Sequence, residues 1–170
     1  MKSMMTIAAL LTLSFGANAA GGEGVVHFKG TVINAPCGIA PESADQTIDF
    51  GQISKVHLNS GGRSIQKPVD IKLVNCDFSG VNPTKTVAVH FTGKTANNAT
   101  DLGVSQTNAI IHLAAQDGTL VTFDGTSKSN ETKLMDGSNT LHYQAWVEKG
   151  KTDVVEGEFS AEANFSLAYN

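Results

Sequence analysis

The last fourteen residues of the chain, which read 157-GEFSAEANFSLAYN-170, alternate between apolar and mostly polar side chains. The apolar positions are Phe159, Ala161, Ala163, Phe165, Leu167 and Tyr169. A period of two is typical of a β-strand that buries one face. The pattern continues to the last residue but one, so it predicts a long, flat strand at the end of the chain. Such a strand needs a covering partner, because its edge otherwise presents a row of unpaired backbone groups. Another strand of the same chain is the ordinary partner for a β protein.

The same period recurs upstream, in segments bounded by Gly, Asn, Asp, Ser or Pro. The apolar positions are Val69, Ile71 and Leu73; Val87, Val89 and Phe91; Ala109, Ile111, Leu113 and Ala115; and Leu141, Tyr143, Ala145 and Val147. Asp117-Gly118 predicts a tight hairpin. Residues 93–105 and 126–136 are expected to be exposed loops. The pattern favours an all-β, immunoglobulin-like sandwich, with a barrel as the alternative.

The first nineteen residues have the layout of a secretory signal peptide. Lys2 is followed by an apolar run over residues 7–13 and by the small-residue pattern Ala17-Asn18-Ala19. This order of features predicts cleavage after Ala19, and the apolar run is too short to span a bilayer. A buried N-terminal helix is the alternative. On the signal-peptide interpretation, we expect the protein to be exported and not inserted into the membrane.

The chain has two cysteines, Cys37 and Cys76. Export indicates an oxidising compartment, in which two cysteines most simply form a disulfide. A bridge across this separation removes about 4 kcal/mol of unfolded-state entropy in the chain-entropy model. Free thiols or a metal pair are the alternatives, but no neighbouring His or Cys completes a known metal signature.

Residues 20–30, which we call the arm, read AGGEGVVHFKG. In an extended segment Gly22, Gly24, Val26 and Phe28 share one face. Three early glycines predict a mobile segment before docking, and apolar side chains at period two suit strand addition to an open sheet edge. The alternative is a disordered leader followed by an ordinary first strand.

Recognised catalytic and ligand-binding motifs are missing from the sequence. Five histidines are scattered, with no HExxH pattern, nucleophile elbow or phosphate-binding glycine loop. The formal net charge is −4, and no Lys/Arg cluster marks a nucleic-acid surface. We therefore predict no enzymatic activity, cofactor, metal or nucleic-acid partner. An enzyme remains an alternative if its site is assembled from distant residues.

Four stretches together resemble the pilins of the chaperone-usher pathway of Gram-negative bacteria, in particular the major subunits of P pili and type 1 fimbriae. They are FKGTVINAPC (28–37), SADQTIDFGQISK (43–55), VDIKLVNCD (69–77) and GEFSAEANFSLAYN (157–170). Pilins of this family carry a glycine fourteen residues from the end and an aromatic residue next to last. Gly157 and Tyr169 match these two positions.

The resemblance implies an incomplete immunoglobulin-like sandwich that lacks its last strand. A periplasmic chaperone, and then a neighbouring subunit at the outer-membrane usher, would supply the strand. The donor residues would be Gly22, Gly24, Val26 and Phe28, with Gly24 as the small residue that lets the arm enter. The acceptor strand would be Gly157, Phe159, Ala161, Ala163, Phe165, Leu167, Tyr169 and Asn170, whose carboxylate the chaperone would hold with basic residues.

The resemblance also divides the chain into a signal peptide (1–19), a donor arm (20–30) and a pilin domain (31–170). The implied function is a structural subunit, the major rod subunit above all, of an adhesive filament that is exported through the periplasm to the cell surface. A minor adaptor or terminator pilin is the first alternative. A receptor-binding tip subunit or lectin-like module is the second.

Overall fold

The computed structural model of the protein describes residues 22–80, 85–129 and 131–170. The predicted signal peptide lies outside these residues. The chain divides after Val32 into an N-terminal segment and a unit that runs from Ile33 to Asn170. In the part that is described, no helix is both long enough and apolar enough to cross a membrane.

The regular secondary structure of the unit from Ile33 to Asn170 is almost entirely strand, as the period-two pattern predicts. Its described helices are two short ones, α1 (Pro41–Ala44) and α2 (Lys55–Asn59). The strands are β1 (Gly38–Ile39), β2 (Lys67–Cys76), β3 (Thr86–Gly93), β4 (Leu102–Gly103), β5 (Ala109–Ala115), β6 (Thr132–Lys133), β7 (Gly137–Lys149) and β8 (Ala163–Tyr169).

The strands form two antiparallel sheets, in the orders β1-β2-β7-β5-β4 and β6-β3-β8. The predicted sandwich is therefore confirmed in preference to a barrel. Alternate residues of both sheets enter one core, as expected from the pleat of a strand. That core holds Ile71, Leu73, Val87, Val89, Phe91, Leu113, Leu141, Tyr143 and Ala145. Phe91 and Tyr143 meet edge to face, with ring centroids 5.1 Å apart.

Both segments expected to be exposed loops are mostly exposed, as predicted, but each also contains a two-residue strand and a buried leucine. Residues 93–105 contain β4, whose Leu102 is 6% exposed, and residues 126–136 contain β6, followed by Leu134 at 1%. The polar sequence of these segments gives no sign of the two-residue strands, because the position of each is fixed by pairing with a longer strand. The turn at Asp117-Gly118 is confirmed, since Gly118 has φ of +85° and Ala115 N–H donates to the Thr119 carbonyl.

Cys37 and Cys76 form a disulfide, as predicted, and both are buried. The bridge joins the residue before β1 to the last residue of β2. Cys76 lies opposite Gly137, at the start of β7. Asp136, which precedes Gly137, accepts from Phe78 N–H and forms an ion pair with Lys85 beside β3. We call this end of the sandwich the disulfide end, and the opposite end, which holds α2, the α2 end.

Candidate functional site

Among the described residues, strand β8 has a partner along one edge only. It pairs with β3 from Ala163, opposite Gly93, to Tyr169, opposite Val87. In the three-stranded sheet of the described chain β8 is an edge strand. The strand predicted over residues 159–169 begins only at Ala163, so it is shorter than expected. The free edge leaves alternate N–H and C=O groups of β8 available for another strand.

A second unpaired edge lies in the segment that follows β1. The Ala40 N–H donates to the Lys72 carbonyl, and Ser43 Oγ both donates to the Asp70 carbonyl and accepts from Lys72 N–H. Beyond this point the segment leaves β2. Across the described residues, the backbone of residues 47–50 forms no hydrogen bond to another backbone group.

A groove of about 850 Å³ lies between these two edges. One wall is formed by residues 43–48 with Phe50, and the other by residues 159–165. The floor is formed by apolar side chains of both sheets, among them Val69, Ile71, Phe91, Leu113 and Phe123. An apolar floor between two open strand edges suits an extended peptide, since its backbone can pair while alternate side chains fill the floor.

Two aromatic rings meet across the groove near the α2 end. Phe50 comes from one wall and Phe159 from the other, and their ring centroids are 6.4 Å apart. Both rings pack against a small apolar cluster that includes Leu58 of α2 and Val154. This contact marks one end of the groove.

At the other end of β8 the apolar side chains pack against the core instead of lining the groove. Leu167 and Tyr169 contact the main core cluster. The Tyr169 hydroxyl is buried without a hydrogen-bond partner among the described atoms, and burial raises the pKa of this phenol. Of the eight residues predicted for the acceptor strand, the groove is therefore lined by Phe159, Ala161, Ala163 and Phe165.

The remaining predicted residues, Gly157 and Asn170, lie at the two ends of this segment. Gly157 has φ of +150°, a conformation that L side chains rarely adopt. A Cβ at Gly157 would lie 3.6 Å from Thr107, so backbone conformation rather than space favours glycine. The backbone N–H of Asn170 donates to the Thr86 carbonyl.

The arm is exposed throughout its described part, residues 22–30, and forms neither helix nor strand. Val26 is 73% exposed and Phe28 91%. The face that carries these side chains continues at period two through Gly30 to Val32, which is fully exposed. The four predicted donor residues therefore lie on an exposed face that extends beyond Phe28 to Val32.

The wall formed by residues 43–48 with Phe50 was not among the predicted site residues. A weak signal was present, because Ile48 and Phe50 alternate with Thr47 and Asp49. The alternation is too short to be read as a strand on its own. Within the described ranges, no three His, Cys, Asp or Glu side chains lie close enough together to hold a metal ion.

Comparison with known proteins gives consistent matches over most of the chain. The family model described as "Fimbrial protein" matches residues 26–170. KS71A fimbrillin of Escherichia coli is 45% identical over 176 residues, which cover 95% of this chain and 94% of that protein. Fimbria A protein of Serratia marcescens is 43% identical, with coverage of 99% and 97%.

Two solved structures share both sequence and fold with this chain. A subunit in the structure of a chaperone-usher pilus has a TM-score of 0.82 at 45% identity, covering 88% of this chain and 96% of that subunit. The crystal structure of the P pilus rod subunit PapA has a TM-score of 0.75 at 45% identity, with coverage of 80% and 100%.

Proposed function

Because this chain belongs to the fimbrial protein family, we propose that it is a structural subunit that builds the rod of a chaperone-usher pilus. Its relatives include proteins named as major pilins and as a rod subunit. The observation that carries the proposal is the groove, whose two walls expose unpaired backbone edges over an apolar floor. Fimbrial subunits reach the bacterial surface through the periplasm, in agreement with the predicted signal peptide.

The occupant of the groove in the filament is the arm of a neighbouring copy. The wall of residues 159–165 and the donor stretch from Gly22 to Phe28 each span seven residues. At about 3.3 Å per residue, seven extended residues cover roughly 23 Å. The donor stretch is therefore long enough to lie along this wall.

The direction of the inserted arm follows from the two ends of the sandwich. The arm leads into Cys37, at the disulfide end, whereas the Phe50–Phe159 end of the groove lies beside α2. In a head-to-tail filament all copies have the same orientation, so the disulfide end of one copy faces the α2 end of the next. An arm that enters from the α2 end runs antiparallel to β8 and brings Phe28 nearer to Phe159 than Gly22.

Side-chain burial and backbone pairing together stabilise this arrangement. Val26 and Phe28 each contribute roughly 1.5 to 3 kcal/mol when fully buried. The arm can also form hydrogen bonds with both walls, as an added strand does. The role of Gly24 as the small residue that lets the arm enter stays a prediction.

The remaining partners follow from the family. A periplasmic chaperone would cover the groove before assembly, and its basic residues would hold the terminal carboxylate of Asn170. An outer-membrane usher would catalyse exchange of the chaperone strand for the arm. Because the relatives are structural subunits, we also expect no enzymatic activity.

The decisive experiment joins residues 20–32 to the C-terminus through a short flexible linker. An antiparallel donor starts at the disulfide end, where β8 finishes, so a short linker is sufficient. The fusion should be a monomer that unfolds cooperatively, whereas the unfused subunit without chaperone should polymerise or aggregate. Size-exclusion chromatography and thermal unfolding measure both properties.

The matched control is the same fusion with Val26 and Phe28 of the appended segment changed to serine. It retains the length and the backbone of the donor but lacks its apolar side chains. Equal stability of the two fusions, or no stability gain in either, would contradict strand donation into the groove.

A further inference from the structure

Glu131 connects the last residue of the chain to two neighbouring strands. It lies directly before β6, and its Oε1 accepts a hydrogen bond from Asn170 Nδ2 at 2.8 Å. Its Oε2 accepts from the Thr86 hydroxyl at 3.3 Å, at the start of β3. One carboxylate therefore contacts the terminal residue of the chain and an adjacent strand.

The backbone adds a second connection at the same place. Asn170 N–H donates to the Thr86 carbonyl at 3.0 Å, and Thr86 N–H donates to one oxygen of the terminal carboxylate of Asn170 at 3.5 Å. Terminal residues usually fray unless something holds them. Here both the backbone and the side chain of the terminal residue are held.

The terminal carboxylate itself has no cationic partner. Across the described parts of the chain, no Lys, Arg or His nitrogen lies within ion-pair distance of it. Lys128 lies 4.0 Å from Glu131 instead. Apart from the long hydrogen bond from Thr86 N–H, the carboxylate can therefore accept bonds from basic groups of another protein.

We propose that Glu131 is a positioning residue that holds Asn170 in place, so that the terminal carboxylate is presented to the basic groups of the chaperone. The inference rests on the proposed function, which requires a chaperone. A group that is ordered before binding loses less conformational entropy when it binds. Glu131 therefore reduces the entropy lost when the chaperone binds the terminal carboxylate, without itself contacting the chaperone.

The first test compares Glu131→Ala with Glu131→Gln in complexes formed in the periplasm. The wild-type chain is produced together with the P pilus chaperone, and dissociation of the purified complexes is timed. Glu131→Ala should dissociate about tenfold faster, since both side-chain hydrogen bonds are lost. Glu131→Gln should stay within about twofold of wild type, because its oxygen can accept from Asn170 and its amide can donate to the Thr86 hydroxyl.

Glu156→Gln is the matched control. Glu156 is an exposed acid that pairs with Lys55 of α2, away from the chain terminus. It changes the net charge as Glu131→Gln does. We expect wild-type dissociation for this variant.

The second test measures positioning without a chaperone. Carboxypeptidase is added to the purified chain in the assembly state in which it is isolated, and release of Asn170 is followed. Release should be about tenfold faster in Glu131→Ala and nearly unchanged in Glu131→Gln, since only the former frees the terminal residue.

The two tests separate the possible failures. A wild-type chain that binds no chaperone contradicts that part of the proposed function, and the carboxypeptidase result still decides the role of Glu131. The inference is overturned if Glu131→Ala matches wild type in the carboxypeptidase assay. It is also overturned if Glu131→Gln dissociates as fast as Glu131→Ala, because charge rather than positioning would then matter.

Discussion

At the scale of single residues, Asp101 stands out as the one charged side chain that is buried among the described residues, at 5% exposure. Its Oδ1 lies 3.1 Å from His112 Nε2 and accepts from the Thr100 hydroxyl, and its Oδ2 accepts from Asn98 Nδ2. Burial acts to raise the pKa of Asp101, but these hydrogen bonds outweigh it and lower the pKa below its usual value. The carboxylate thus ties the segment before β4 to β5.

This arrangement predicts an acid-sensitive contribution to stability. A carboxyl whose pKa is lowered by folding stabilises the folded chain above its unfolded-state pKa of about 3.9, and the contribution is lost as the pH falls below that value. Asp101→Asn should reduce the free energy of unfolding at pH 7 by about 1 to 3 kcal/mol. At pH 3 the difference from wild type should be smaller. Denaturant unfolding of the fusion that carries residues 20–32 at its C-terminus, at both pH values, measures this difference.

Asp153→Asn serves as the comparison, since this carboxylate is 76% exposed and forms an exposed ion pair with Lys149. It should change stability little at either pH. A gap between Asp101→Asn and wild type that is the same at pH 3 and pH 7 would show that the charge of Asp101 contributes nothing.

At the scale of elements, the stability of the arm in the groove of a neighbouring copy depends on which face of the arm carries the apolar side chains. Phe28→Ala removes the largest of them and should destabilise the assembled filament by about 3 to 5 kcal/mol per subunit contact, the usual cost of truncating a buried phenylalanine. The guanidinium concentration at which filaments release monomers measures this effect, and it should fall.

Val25 provides the control for that substitution. It is 81% exposed and lies on the opposite face of the extended arm from Val26 and Phe28. Val25→Ala should leave the dissociation midpoint nearly unchanged. If the two substitutions have equal effects, the arm does not insert with the predicted face towards the groove.

How well each element could be predicted depended on the origin of its stability. The regular alternation in β2, β3, β7 and β8 identified them correctly, because each carries apolar side chains at period two on the face towards the core or the groove. The two-residue strands β4 and β6 carry no such signal, since their position is fixed by the neighbours they pair with. The same holds for the wall of residues 43–48 with Phe50, which becomes a wall only opposite residues 159–165.

At the scale of the whole molecule, the disulfide closes a chain segment of 39 positions that contains β1, both short helices and β2. Replacing both Cys37 and Cys76 with alanine should lower the free energy of unfolding of the fusion by about 4 kcal/mol, by releasing the unfolded chain from this constraint. Chemical denaturation measures the loss.

Reduction of the unaltered fusion with dithiothreitol offers an independent check of the same quantity. The reduced protein should unfold at nearly the denaturant concentration of the double alanine variant. An oxidised fusion that is no more stable than either would show that the bridge does not stabilise the fold.

The sequence by itself determined the strand content, the disulfide partners and the two unusual chain ends, because periodicity, cysteine number and glycine placement are local properties. Only the tertiary structure decided that β8 keeps one free edge, that Phe50 and Phe159 meet across the groove, and that Glu131 reaches Asn170. These features join residues distant in sequence, and their geometry depends on how the two sheets pack. A sequence pattern marks which face of a strand is apolar, but only packing shows whether anything covers it.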